Sequence, residues 1–256
     1  MKFGIRDGML RVPFEERFQK AGELGFDGVE LCLGGDYRQH PLFSDEGVEL
    51  ALKLSEEAGV AVSSFSPGAF TGVSYLNPDD EKRREGIEKL NHLSSVAPQF
   101  GVEVILTPFF GGGAIPADRV TDQRLIDGVR ETAETAAENG VALALETTLN
   151  AEQHIALIDA ADCGSVGVYY DMGNATSAGY DSPSEIRRLG SKYISQIHMK
   201  DTGGNHLGEG GVDFDAVGQA IKEIGYNSWL VLETPVRGDA DESNRKNLAF
   251  TRRLAA

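Results

Sequence analysis

The stretch VGVYYDMGN (Val166–Asn174), followed by ISQIHMKD (Ile194–Asp201) and GEGG (Gly208–Gly211), decides how this chain is read. VGVYY is a short apolar run that stops at Asp171, and ISQI stops at His198, with Lys200 and Asp201 just behind. The same syntax recurs in VALALE, which stops at Glu146, and in WLVLE, which stops at Glu233. Apolar runs of about four to eight residues read as buried strands. A carboxylate or imidazole ending such a run is costly to bury unless it is paired or bound to a cation. Four such endings imply one shared polar site. Glu146, Asp171, His198 and Glu233 are therefore expected to hold one divalent metal ion.

Outward from this stretch the same unit repeats. Strand candidates begin near Phe3, Gly28, Ala61, Val102, Val141, Val166, Ile194 and Trp229, with helical patterns between them. The third helix is expected from Pro78 to about Phe100, with Asn77 as its N-cap. The sixth is expected to begin at SPSE, with Ser182 as N-cap of a capping box completed by Glu185. Gly25, Gly59, Gly101, Gly140 and Gly225 each follow a helix, and Gly164 does so less regularly. A glycine there closes the last helical carbonyls in the left-handed conformation. Units of strand, helix and glycine, about 30 residues long, imply parallel strands joined by helical crossovers. Eight of them in 256 residues predict an α/β fold, a (β/α)8 TIM barrel, as a single domain over 1–256. An open doubly wound sheet is the alternative, but RDGMLRVP, not G-x-G-x-x-G, follows the first strand. The longer connections, Gly34 to Glu46, Pro67 to Pro78 and Pro108 to Asp118, all follow strands, at the rim where barrel active sites lie.

A composition of 41% hydrophobic and 25% charged residues is ordinary for a globular protein. The formal net charge of −16 argues against nucleic-acid and anionic-membrane partners, which need a positive surface. Cys32 and Cys163 form no disulfide or zinc-ribbon pattern and read as reduced, partly buried thiols. MKFGIRDGML lacks the apolar core of a secretory signal, and no apolar run approaches the roughly 18 residues of a spanning helix. A cytoplasmic protein with a small-molecule partner is expected, and self-association into a homo-oligomer is left open.

Three carboxylates and one imidazole suit manganese, magnesium, cobalt or zinc, and the lack of a thiolate argues against structural zinc. With YYDMGN, IHMKD, LGEGGVDF and the LE of LVLETP, the chain resembles the sugar-phosphate isomerase/epimerase superfamily of xylose isomerase-like TIM barrels. D-x-G-N followed by H-x-K-D and G-E-G most resembles its 3-epimerases of ketose phosphates. The resemblance implies that Glu146, Asp171, His198 and Glu233 ligate one metal. It also implies that Glu146 and Glu233 double as proton-transfer groups on opposite faces of the substrate. Where many members have a histidine three residues after the strand-six aspartate, this chain has Asn174, a hydroxyl partner but a poor metal ligand. The extra histidines that endonuclease IV uses for its zinc cluster are missing.

Further substrate-binding candidates are Asn174, Lys200, His206, Glu209 and Glu30. Glu30 equally reads as the partner of Arg6 at the end of strand one, Lys200 as that of Asp201, and His206 as an exposed loop residue. Phe65, Phe109 and Phe110 are candidate pocket walls, equally readable as core, and GGG at 111–113 reads as a flexible rim loop. His40, His92 and His154 read as structural or exposed. No Arg/Lys cluster or phosphate-cradling helix start stands out, so phosphorylation of the substrate is left open.

The function expected is a metal-dependent isomerase or epimerase of a small ketose or ketose phosphate, working by proton transfer through a metal-stabilised enediolate. A dehydratase of the inosose-dehydratase type, assisted by an acid such as His206, is the second reading. A non-catalytic sugar-binding barrel is the third.

Overall fold

The structure, a computed structural model, describes residues 1–34 and 36–255; Gly35, in the connection after the second strand, and Ala256 at the end of the expected domain lie outside the described residues. Eight parallel strands close into a barrel: β1 (Lys2–Arg6), β2 (Gly28–Cys32), β3 (Ala61–Ser66), β4 (Val104–Pro108), β5 (Ala142–Glu146), β6 (Val166–Asp171), β7 (Ile194–Met199) and β8 (Trp229–Leu232), with β8 beside β1. The helices cross between them: α1 (Arg17–Leu24), α2 (Asp45–Ala58), α3 (Asp80–Val96), α4 (Gln123–Ala137), α5 (Ala151–Ala161), α6 (Met172–Ser177), α7 (Ser182–Tyr193), α8 (Phe214–Glu223) and α9 (Ala240–Ala255). The single-domain TIM barrel anticipated from the repeat is the fold observed. No described helix is long and apolar enough to cross a membrane.

Alternate residues of each strand point into the barrel. Val104, Leu106, Ala144, Tyr169 and Val231, with Trp229 against them, fill its interior. A larger apolar shell, including Ile5, Leu31, Phe65, Ile105 and Ile197, packs strands against helices. A Cβ on Gly28 would sit 2.7 Å from the Trp229 ring, so the bulk of Trp229 demands a glycine opposite. Two residues further along the strands, Ala144 gives way to Glu146, Tyr169 to Asp171 and Val231 to Glu233. The uppermost interior layer is thus charged, above layers that are apolar except for Gln196, whose amide donates to the Ser63 carbonyl (2.8 Å).

The five regular helix-closing glycines have φ between 62° and 92°. At the sixth junction the left-handed residue is Asp162, not Gly164, because α5 ends two residues earlier. Helix α3 starts later than its sequence predicts. Asp79 caps it by accepting from the N–H groups of Glu81 (3.1 Å) and Lys82 (3.3 Å), which leaves Pro78 outside. The expected capping box at Ser182 does not form. The Ser182 hydroxyl donates to the Met172 carbonyl (3.1 Å), while Glu185 accepts from the first N–H of α5. α6 was not anticipated; it is a short helix grown directly from the end of β6.

GGG at 111–113 is a tight 3-10 turn, not a free loop, since a Cβ on Gly113 would lie 1.9 Å from the Phe70 carbonyl oxygen. Phe65 and Phe109 are fully buried in the outer core, with Phe109 stacked on Phe70 at 5.0 Å; Phe110 reaches the cavity at the barrel mouth.

His154 is buried between the end of β5 and α5, with Nε2 2.9 Å from the Thr147 hydroxyl and Nδ1 3.1 Å from the Asn150 carbonyl. Burial pushes His154 down to about 4. Below pH 6.5 the unfolded chain takes up a proton there that the folded chain refuses, so stability falls as pH drops from about 6.5 to 4. At pH 5 this single group removes about 2 kcal/mol. Urea denaturation of wild type and His154→Gln should therefore converge in relative stability as pH falls from 7 to 5. A constant gap between them would contradict a neutral buried imidazole.

Candidate metal centre

Strand register assembles the site. Arg6 pairs with Glu30 across β1 and β2, and Glu30 pairs with Ser64 across β2 and β3. Asp171 pairs with His198 across β6 and β7. Ile5 pairs with Leu232, so the residues that follow, Arg6 and Glu233, meet above them. Glu233 lies one residue past β8, where its N–H donates to the Met199 carbonyl (3.1 Å).

Glu146, Asp171, His198 and Glu233 present ligand atoms that all lie within 4.8 Å of one another. The His198 ring is fully buried and has two distinct sides. Its Nδ1 faces Glu233 Oε2 (3.1 Å), Glu146 Oε1 (3.3 Å) and Asp171 Oδ2 (4.0 Å). Its Nε2 faces Glu30 Oε2 at 3.3 Å. A carboxylate on the far nitrogen fixes the tautomer and ring plane that a metal-ligating imidazole needs.

Asp171 is divided in the same way. It caps α6, its Oδ1 accepting from the Asn174 N–H (2.7 Å), while Oδ2 is buried without a hydrogen bond. Glu233 Oε2 is also buried without one. These two oxygens have charged neighbours but no hydrogen bond, and with Nδ1 of His198 they fit a cation. Electrostatics point the same way. Burial pushes the Asp171 carboxyl up to about 7 despite Lys200 beside it, with Glu146 and Glu233 adding to the push. Burial alone would lower His198, yet Glu30, Glu146 and Glu233 hold it well above its usual value. The surrounding carboxylates thus draw positive charge to this point.

Two side-chain cations brace the cluster. Arg6 lies 3.1 Å from Glu30 Oε1 and 2.5 Å from Glu233 Oε1. Lys200 lies 3.3 Å from Asp171 Oδ2 and 3.4 Å from Glu233 Oε1. Burial alone would raise Glu233, but His198, Arg6 and Lys200 hold it well below the usual carboxylate range. A Cβ on Gly173 would come 2.9 Å from Lys200 Cγ and 3.0 Å from its carbonyl oxygen, which accounts for the glycine of DMGN.

A cavity of about 390 Å³ opens above this layer, lined by Arg6, Glu146, Asn174, Lys200 and Glu233 on the charged side. Asn174 donates from Nδ2 to Glu146 Oε1 at 3.3 Å. The other substrate-binding candidates lie elsewhere. Glu30 is fully buried beneath the cavity, where it accepts from the Ser64 hydroxyl (2.9 Å) and pairs with Arg6 and His198. Glu209 points outward and pairs with Lys246 of α9. His206 is buried under the same loop and does not line the cavity. The GEGG segment instead wraps the Asp201 carboxylate, which accepts from the N–H groups of Thr202, Gly208, Gly210 and Val212 at 2.7–3.1 Å. Arg6 is the cavity residue that the sequence reading named only as a partner; its signal was FGIR, one more apolar run ending in a charge.

If the four converging side chains hold one ion, Asp171→Ala and His198→Ala should each lose stoichiometric metal by elemental analysis. Asn174→Ala should keep it. Equal metal in wild type and both ligand variants would contradict the site.

The comparisons with known proteins agree with this architecture. A family model described as a xylose isomerase-like TIM barrel matches residues 18–254. L-ribulose-5-phosphate 3-epimerase UlaE of Escherichia coli is 29% identical over 230 residues, 85% of this chain and 81% of the relative. Among solved structures, a D-psicose 3-epimerase in the presence of D-fructose is similar with a TM-score of 0.81 at 19% identity, covering 99% of each chain. An L-ribulose 3-epimerase gives 0.79 at 20% identity, covering 99% of this chain and 94% of the other. At these identities the two structures speak for the fold alone. The family match spans nearly the whole barrel, strands that supply the converging side chains included, and the chain belongs to the xylose isomerase-like TIM barrel family.

Proposed function

We propose that the protein is a metal-dependent 3-epimerase of a small ketose or ketose phosphate, with manganese as its ion and the cytoplasm as its location. The observation that carries this reading is a division among the four side chains. Glu146 and Glu233 line the cavity, whereas Asp171 and His198 lie beneath it. Two carboxylates exposed to substrate, on different strands, are what proton transfer at two faces of one carbon requires. The relative named as an L-ribulose-5-phosphate 3-epimerase supports the same isomerase class. Three carboxylates and an imidazole favour a hard-to-borderline ion such as manganese. The two free thiols suit a reducing compartment.

When bound by Glu146, Asp171, His198 and Glu233, a divalent ion would supply the Lewis-acid charge that polarises a ketone and favours the anion next to it. The chain's own residues move the protons. One glutamate takes the proton from the carbon beside the ketone, and the C–H electron pair moves toward the carbonyl to give an enediolate. The other glutamate, protonated, delivers its proton to the opposite face of that carbon, which inverts it. Lys200 and Arg6 place positive charge beside Glu233 and the developing anion. Asn174 orients Glu146 through its amide. The dehydratase reading needs an acid at a second hydroxyl, and His206, its candidate, stands outside the cavity lining, which favours epimerisation. The binding-only barrel has no use for a complete four-ligand cluster with two of its carboxylates in the cavity.

Epimerisation run in deuterium oxide should place solvent deuterium on the inverted carbon. Glu146→Gln and Glu233→Gln, once shown to retain metal, should each lose turnover by roughly 10²–10⁴-fold. Product free of deuterium would contradict proton transfer through carboxylates that exchange with water.

A further inference from the structure

Resting on the epimerase reading above, we infer that the substrate is an uncharged ketose rather than its phosphate ester. The first ground is charge balance. Four carboxylates, Glu30, Glu146, Asp171 and Glu233, meet in the mouth of the barrel with two side-chain cations, Arg6 and Lys200. Four carboxylates against two cations leave two negative charges, which one divalent ion would balance. Buried charge is tolerated when it is compensated. Passing a proton between a neutral sugar and a glutamate leaves that balance unchanged. A phosphate dianion would add two negative charges to that balance.

The second ground is the rest of the cavity wall. It includes Cys32, Leu33, Ser66, Thr71, Leu106 and Phe110, and among the described lining residues no cation beyond Arg6 and Lys200. Both of these are already engaged with carboxylates. Cys32 adds no charge, since burial pushes its thiol well up. A free Arg or Lys, able to donate several charge-assisted hydrogen bonds, is the strongest side-chain partner for a phosphate. The Ser66 and Thr71 side chains instead offer hydroxyl groups, the partners of sugar hydroxyls. Further cations line adjoining cavities: Arg11 a cavity of about 300 Å³ that shares Lys200 and Glu233 with this one, and Lys82 and Lys89, paired with Asp79 and Glu85, one that meets it at Gly68. An ester bound at Arg11 would have to reach past the Lys200–Glu233 ion pair.

The test uses manganese-loaded protein with free ketopentoses and ketohexoses, their terminal phosphate esters, and inorganic phosphate. Thermal unfolding and turnover are both read. A free ketose should raise Tm where its ester and inorganic phosphate do not, and should exceed the ester in kcat/KM by about 100-fold, equivalent to about 2.8 kcal/mol. Preference for an ester overturns the inference alone; loss of that preference in Arg11→Ala would then place the phosphate beyond Lys200. Stabilisation by free ketose without turnover supports the substrate class and overturns the epimerase reading. Neither stabilisation nor turnover with any sugar overturns both.

Discussion

Carboxylates crowded around a single buried imidazole set the terms for everything else at the mouth of this barrel. His198 and Glu30 are fully buried, and Glu146 and Asp171 are nearly so. Each ionised carboxylate taken out of water costs several kcal/mol unless positive charge meets it. Arg6 and Lys200 meet part of that demand by bridging Glu30 to Glu233 and Asp171 to Glu233. The rest appears in the perturbed groups: an Asp171 carboxyl pushed up to about 7 and an imidazole held well above its usual value. A divalent ion held by Glu146, Asp171, His198 and Glu233 would supply the positive charge that this demand calls for. The same balance favours a neutral guest in the cavity above.

The barrel supplies the rigidity that such crowding needs. Strand period places Glu146, Asp171 and Glu233 directly above Ala144, Tyr169 and Val231, and the apolar layer under them is closely packed. Register then pairs Arg6 with Glu30 and Asp171 with His198 without recourse to loops. Tyr169 joins the layers, its ring 4.3 Å from that of His198 and its hydroxyl 3.3 Å from Ser64. Only the final orientation comes from rim segments. The first turn of α6 fixes one oxygen of Asp171, and Asn174 reaches Glu146.

Much of this was legible in the sequence, because strand ends and glycine-closed helices are local signals. VALALE, VGVYYD, ISQIH and WLVLE named the four converging residues, and the glycines at 25, 59, 101, 140 and 225 gave the repeat. Positions that depend on packing between distant segments were not legible. Ser182 reads as a helix cap by spacing, yet its hydroxyl is drawn to the Met172 carbonyl by the unforeseen α6. Glu209 sits in a conspicuous glycine-rich loop, but that loop exists to wrap Asp201, which turns Glu209 outward to Lys246. Glu30 was read as a substrate contact or an Arg6 partner. Register with Arg6 and Ser64 draws it beneath the cavity, where it supports His198.

The central claim is that four side chains from neighbouring strands hold one divalent ion. It is tested most directly by anomalous X-ray diffraction from manganese-soaked crystals at pH 7.5. The account predicts one strong manganese peak about 2.0–2.3 Å from Glu146, Asp171, Glu233 and the Nδ1 of His198, with Nε2 still on Glu30. A peak elsewhere, or an imidazole turned so that Nε2 is the ligand, would contradict it.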